Sequence, residues 1–340
     1  MESERGGTSN ELSSIDDVLA RYQRPGPHAT VVMEFPAPGQ AGDDRMVRWH
    51  VRRAELADAG AAAASLDALN TLVERLEPRG ETVLLTTDGT DAAYCWLTDH
   101  TVGHLAHVGP CPWLLPALDE VIDRTPVIVA VVDHLGADLL ELDHLDLNEI
   151  GSVKGDHVQT HRHTGGDQAG YQRRAAAVYA RNADTIARQV TEHAVHAGAR
   201  LVMLTGDDRE AASVTDHLDT HRFTVVTVQA GARHGPHLSE RLFRAAIDES
   251  LTDRRQRRAE AVGHLRQELG QQALGVEGHD ATAEAITEGR VATTFIDRTA
   301  APDDADILAR DTLLYGGSVE ITGDLGVRDG VAAILRYSAH

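Results

Sequence analysis

The sequence predicts an α/β protein of three domains, and three observations carry that reading. Its 340 residues are more than one ordinary compact core encloses. A nearly continuous β-branched run, Pro126 to Asp133, is followed by alternating helical and extended patterns through Val228, which is how a layer of parallel character reads. Shorter mixed patterns flank this centre on both sides. The expected division is an α+β N-terminal domain over residues 1–120, a central α/β domain over 121–260 carrying a glycine-rich glutamine loop, and a small α/β C-terminal domain over 261–340.

Leu12, Ile15, Leu19 and Tyr22 recur on one side of a short helix over 11–23, which Pro25-Gly26-Pro27 stops. Val31 to Phe35 and Val47 to Val51 read as strands around the turn-rich segment 36–44, and the alanine-rich stretch 53–77 as one helix. Thr82 to Thr86 and Ala92 to Leu97 flank Asp88-Gly89, a strong hairpin signal. The domain closes near the prolines between 110 and 116.

In the central domain the run 126–133 suits a strand buried on both faces. Gly136 and Ala137 turn the chain back into a partner strand, Asp138 to Leu142, and a polar region, 148–170, follows. A helix over 171–197 ends at Gly198; strand 201–204, helix 208–219 and strand 224–228 complete the layer. A helix from about 238 runs through Arg254-Arg255-Gln256-Arg257-Arg258, and helical patterning continues to Leu269. Beyond it, 281–288 reads as helix and 291–296 as strand. Residues 307–314 are a helix or the approach to a buried strand; Gly316 to Ser318 form a turn, and 319–321 and 331–337 are strands.

With 53 acidic against 32 basic residues the formal charge is −21, so non-specific attraction to nucleic acid is not expected and any such contact must be local. Two cysteines, Cys95 and Cys111, are too few for a zinc ribbon or a disulfide framework and fit a reducing cytoplasm. The polar, acidic N-terminus lacks a basic segment followed by an apolar core, and no apolar run approaches a membrane span. A soluble cytoplasmic protein without membrane partners is the expectation.

The densest local signal is Thr164-Gly165-Gly166-Asp167-Gln168-Ala169-Gly170-Tyr171-Gln172-Arg173-Arg174. Gly165, Gly166 and Gly170 open backbone angles closed to other residues and let the main chain approach a partner closely. In the helix that follows, Ala175, Val178, Asn182, Ile186, Val190 and Ala194 form the small or apolar stripe. Arg174, Arg181 and Arg188 fall seven apart on one face; with Arg173 they offer planar donors suited to phosphate. Arg254, Arg255, Arg257 and Arg258 form a second cluster, which is equally a solvated helix face.

Taken in order, the strand 127–132, the loop Gly165-Gly166-Asp167-Gln168, the helix from Tyr171 and the ending Gly330 to Tyr337 resemble the class-one release-factor superfamily of archaea and eukaryotes. The similarity is to its bacterial members, including the actinobacterial branch of Balon-like ribosome hibernation factors. The resemblance implies an RNase-H-like central sheet and a loop that enters the ribosomal peptidyl-transferase centre. It further implies rRNA of the A site, tRNA and an elongation factor as partners, and no cofactor. Asp167 stands between the paired glycines and the glutamine, giving the Gly-x-x-Gln of Vms-type peptidyl-tRNA hydrolases rather than Gly-Gly-Gln. Gln168 is thus the candidate catalytic residue, placing its amide near a water or a developing oxyanion. No Asn-Ile-Lys-Ser type tetrapeptide is present, so stop-codon decoding is not expected. A plug across a vacant A site, breaking no bond, is the preferred function, and ester hydrolysis by Gln168 the alternative.

Two other constellations have ordinary readings. His157, His161 and His163 could offer nitrogens to a metal, but no carboxylate or cysteine is fixed beside them, and they read as polar loop residues. Asp133, Asp207 and Asp208 sit at strand ends, as the acids of a two-metal nuclease would, yet strand-end aspartates are ordinarily turn and N-cap residues. Phosphate-loop, dinucleotide and Gly-x-Ser-x-Gly patterns are absent.

Overall fold

The computed structural model describes residues 10–337 except 25, 38–43, 78, 98–104, 124–125, 144–145, 157–167, 230–237 and 272–273. The chain divides into two compact units, one of Met1–Asp123 with Arg258–His340 and one of Arg124–Arg257. The described residues form three sheets, each from one contiguous stretch of chain.

The first unit begins with α1 (Ile15–Tyr22), whose N-terminus is closed by a reciprocal capping box between Ser14 and Asp17. β1 (His28–Glu34) leads to α2 (Asp44–Asp58) and α3 (Ala63–Arg75), then to β2 (Thr82–Thr87), β3 (Ala92–Leu97), β4 (Leu105–Gly109) and α4 (Leu115–Asp123). The sheet order is β3-β2-β1-β4, antiparallel throughout, and Asp88-Gly89 makes the expected β2–β3 turn with Gly89 at φ +90°.

Two expectations fail here. Val47 to Val51 is not a strand but the middle of α2, because Trp49 and Leu56, seven residues apart, are both fully buried on one helix face. The indole N–H of Trp49 donates to Asn70 Oδ1 of α3 at 2.9 Å, which locks the helix in place. The single helix expected over 53–77 is two, separated at Gly60, where φ is +92°.

The second unit is a five-stranded sheet of order β7-β6-β5-β8-β9. It contains β5 (Val127–Asp133), β6 (Gly136–Asp143), β7 (Asp146–Lys154), α5 (Gln168–Ala197), β8 (Leu201–Gly206), α6 (Asp208–Thr215) and β9 (Thr224–Thr227). β5, β8 and β9 are parallel, and β6 and β7 extend the sheet antiparallel on the β5 side, with β7 at its edge. As its composition predicts, β5 is covered on both faces. Ile128, Ala130 and Val132 pack with Ile186, Val190 and Ala194 of α5, and Val127, Val129 and Val131 with Leu242 and Ala246 of α7 (Leu238–Gln271). Gly206 holds φ +111° where a β-carbon would lie 2.1 Å from the Val132 carbonyl oxygen, so only glycine closes the β5–β8 register.

The arginine-rich stretch lies inside α7, one uninterrupted helix whose C-terminal part belongs to the first unit, where Leu265 is buried with Phe295 and Leu325. The C-terminal segment adds β10 (Gly275–Glu277), α8 (His279–Thr287), β11 (Val291–Asp297), α9 (Ala305–Leu314), β12 (Ser318–Thr322) and β13 (Val331–Leu335), in the order β10-β13-β11-β12. One continuous core joins it to the N-terminal segment, with Leu115, Leu118 and Val121 of α4 among Ile296, Leu308 and Ile321.

Candidate functional site

α5 starts at Gln168, three residues earlier than its sequence pattern indicates, which places Gln168 and Gly170 in the first turn of the helix rather than in the loop. Gly165, Gly166 and Asp167 lie outside the described residues, as do His157, His161 and His163. A 30-residue helix beginning at Gln168 directs the main-chain N–H groups of its first turn, which have no partner within the helix, and the positive end of its dipole, to this point.

The other end of the loop is fixed by a contact that the sequence pattern hides. Asn182 falls on the apolar stripe of α5 and is buried, yet its amide makes a reciprocal pair with the main chain of Asp156. Asp156 N–H donates to Asn182 Oδ1 at 2.8 Å, and Asn182 Nδ2 donates to the Asp156 carbonyl at 3.1 Å. Gly155 precedes this clamp, its N–H bonded to the Leu135 carbonyl at 2.7 Å. A β-carbon at Gly155 would stand 2.5 Å from Asn182 Nδ2, so the clamp requires glycine there. The signal was legible in principle: one polar residue among Val178, Ile186 and Val190.

Ala183, Ile186, Ala187, Val190 and Ala194 pack α5 onto the sheet, and Arg173, Arg181 and Arg188 are exposed. Arg174 is helical, with its side chain outside the described residues. Among the described residues Arg173, Arg181 and Arg188 have no ion-pair partner, which in a chain of net charge −21 is a local excess of positive charge. Lys154, the only lysine, is exposed at the end of β7, two residues before the clamped Asp156, and adds a fourth cation that the sequence pattern does not single out.

The second arginine cluster behaves differently. Arg257 bonds to Asp253 one turn away at 2.8 Å, and Arg258 reaches Asp119 of α4, which also accepts from Arg298. Those side chains hold the fold together.

The strand-end acids are each engaged locally. Asp133 Oδ1 accepts from the Leu135 N–H at 2.7 Å. Asp207 caps α6 by accepting from the N–H groups of Arg209 and Glu210, and Asp208 accepts from Gln229. Burial, then Asp207, pushes the carboxyl of Glu210 above the ordinary range. No group of three or more His, Cys, Asp or Glu side chains among the described residues is placed to hold a metal ion.

A clamped Asp156, a glutamine at a helix N-terminus and arginines along that helix without ion-pair partners among the described residues together suit an RNA-facing tip. Residues 126–271, the sheet with α5 and α7, match the family model described as bacterial archaeo-eukaryotic release factor family 2. Over these residues the chain is similar to that family. The segment so identified contains the whole candidate site, Gln168 and Arg173 to Arg188 included. Solved structures similar to this chain include ribosome-bound archaeal Pelota with ABCE1, at 12% identity and TM-score 0.48, covering 100% of both chains. The archaeal termination factor aRF1 is similar at 15% identity and TM-score 0.26, covering 96% of this chain and 99% of its own. Dom34 of S. cerevisiae, described as interacting with Hbs1, is similar at 9% identity and TM-score 0.41, covering 74% of both. Likeness at these levels assigns no activity or partner. No curated protein matches the chain. Among the described residues no helix is long and apolar enough to cross a membrane.

Proposed function

We propose that this protein is a ribosome-binding translation factor that occupies the A site as a hibernation or stress factor. Its central segment would be presented to rRNA by the segments around it, with 1–120, 121–260 and 261–340 as its three working domains. The observation that carries the reading is that Arg173, Arg181 and Arg188, on the helix that Gln168 begins and within the segment that matches the release-factor family model, have no ion-pair partner among the described residues. Guanidinium groups without carboxylate partners are free to exchange water for phosphate oxygens, which an acidic protein needs at the one surface that meets RNA. tRNA and a GTP-binding elongation factor are the partners this role would bring, in the cytoplasm.

The position of Gln168 favours a second reading, peptidyl-tRNA hydrolysis. Main-chain N–H groups at a helix start stabilise a developing oxyanion, and a glutamine amide there can orient water without a perturbed pKa. Co-sedimentation with 70S ribosomes across a salt series, with peptide release scored on peptidyl-tRNA-loaded ribosomes, tests both. Salt-sensitive saturable binding without release is the expected result. Release that Gln168→Ala abolishes, with binding kept, would establish the hydrolase. Absence of binding at low salt would overturn both readings.

A further inference from the structure

The first unit contains a cavity of about 780 Å³, within the size range of small-molecule sites. It opens where the N-terminal sheet meets the C-terminal one within their shared core. Its apolar wall is made by Leu97, Leu105, Trp113, Leu115, Ile296 and Ile321. The polar part of the lining has three carboxylates, Asp119, Glu120 and Asp303, with the guanidinium of Arg298, His107 and Thr299. Arg298 is already held by Asp119, which in turn binds Arg258. Asp303 is exposed at the open side and, among the described residues, has no hydrogen-bond or ion-pair partner. Glu120 is a buried carboxylate next to Asp119 on α4.

We propose that this cavity binds an organic ammonium: a flat or branched apolar body against Trp113, Leu105 and Ile321, with its cationic head at Asp303. Three features select that class. An indole face attracts cations as well as apolar groups. Arg298 is engaged by Asp119, whereas Asp303 has no partner among the described residues, so the charge left for a head group at the opening is negative. The Asp119 ion pairs tie α4 to α7 and to the turn after β11, so the acidic side of the cavity is formed before any ligand arrives. No residue of the arginine helix takes part, and the site stands or fails independently of ribosome binding.

The full chain is titrated calorimetrically with 1-naphthylmethylammonium and, separately, with 1-naphthylacetate, and melting is followed with each. The ammonium should bind saturably at one site per chain and raise the melting temperature, and the carboxylate should do neither. Asp303→Asn, an exposed substitution that leaves the fold intact, should weaken ammonium binding about five-fold. Ala301→Phe, which fills the cavity, should abolish it in a protein that still melts cooperatively. Equal binding of both probes, binding unchanged in both variants, or no saturable binding of the ammonium would each overturn the proposal.

Discussion

The hydroxyl of Tyr22 donates to Asp306 Oδ1 at 2.7 Å, joining α1 to α9 across 284 residues of sequence inside the first unit. The same oxygen accepts the Leu114 N–H at 2.7 Å, just before α4. Cys111 and Arg310 lie beside this pair. Burial pushes the Asp306 carboxyl up to about 7 and holds the Tyr22 hydroxyl well above its usual value.

That raised carboxyl pKa fixes a direction for stability against pH. The folded protein holds the Asp306 proton more tightly than the unfolded chain does. The contribution of this group is therefore fully present below pH 4 and is lost as pH rises to about 7, after which it is constant. Asp306→Asn keeps an oxygen for Tyr22 and Leu114 but cannot ionise. Relative to the native chain it should gain stability between pH 4 and 7, by up to about 4 kcal/mol at the ceiling that about 1.4 kcal/mol per pKa unit sets. Urea melts across that range check it, and a pH-independent difference between the two proteins would refute it. Tyr22→Phe removes one donor from the buried oxygen and should cost about 1–3 kcal/mol near neutral pH.

The Asn182 clamp predicts a different kind of loss. Asn182→Ala leaves the N–H and C=O of Asp156 without their partner, for a cost of about 1–3 kcal/mol in chemical denaturation. Asn182→Asp keeps the acceptor and loses the donor, so it should fall between the native chain and the alanine variant. If the loop must be held for ribosome binding, both variants bind more weakly by more than their stability loss explains.

The two arginine groups should separate by assay. Arg181→Glu and Arg188→Glu remove side chains with no ion-pair partner among the described residues, so stability should change by no more than about 0.5 kcal/mol. Ribosome affinity should fall, and the slope of log affinity against log salt should drop by about 1 for each phosphate that the variant no longer neutralises. Arg258→Ala should do the reverse, lowering stability through Asp119. Equal effects of all three on ribosome affinity would remove the distinction.

These contrasts mark where the sequence was informative. The buried strand β5, the β2–β3 hairpin, the parallel β5–β8–β9 set and the helix after the glycine loop were legible, because each has a period or turn residue of its own. α2 was not: Val47-Arg48-Trp49-His50-Val51 alternates as a strand would, and only the later Leu56 restores the helical face. β4 and β7 were missed because edge strands of intermediate burial carry polar residues such as His107, Asn148 and Glu149. In the site, the arginine stripe could be seen in the sequence. Which arginines lack carboxylates could not, since Arg258 meets Asp119 across 139 positions.

Asp119 supplies the last prediction. It is almost fully buried on α4 and accepts from Arg258 of α7 and from Arg298 in the turn after β11, so one carboxylate answers two guanidinium groups. Substitution by alanine leaves both positive charges close together in a half-buried site with their acceptor gone. Removing one member of such a network commonly costs about 3–5 kcal/mol. Asp119→Asn keeps an acceptor for only one of the two arginines, which bond to different carboxylate oxygens, and supplies no countercharge, so it should lie nearer the alanine variant than the native chain, and raised salt should narrow its gap to the native chain by screening the two arginines from each other. Melting of the two variants at low and high salt decides this. A neutral Asp119→Ala would mean that α4 and α7 are held by apolar contacts alone, and that the acidic wall of the cavity is not built in advance.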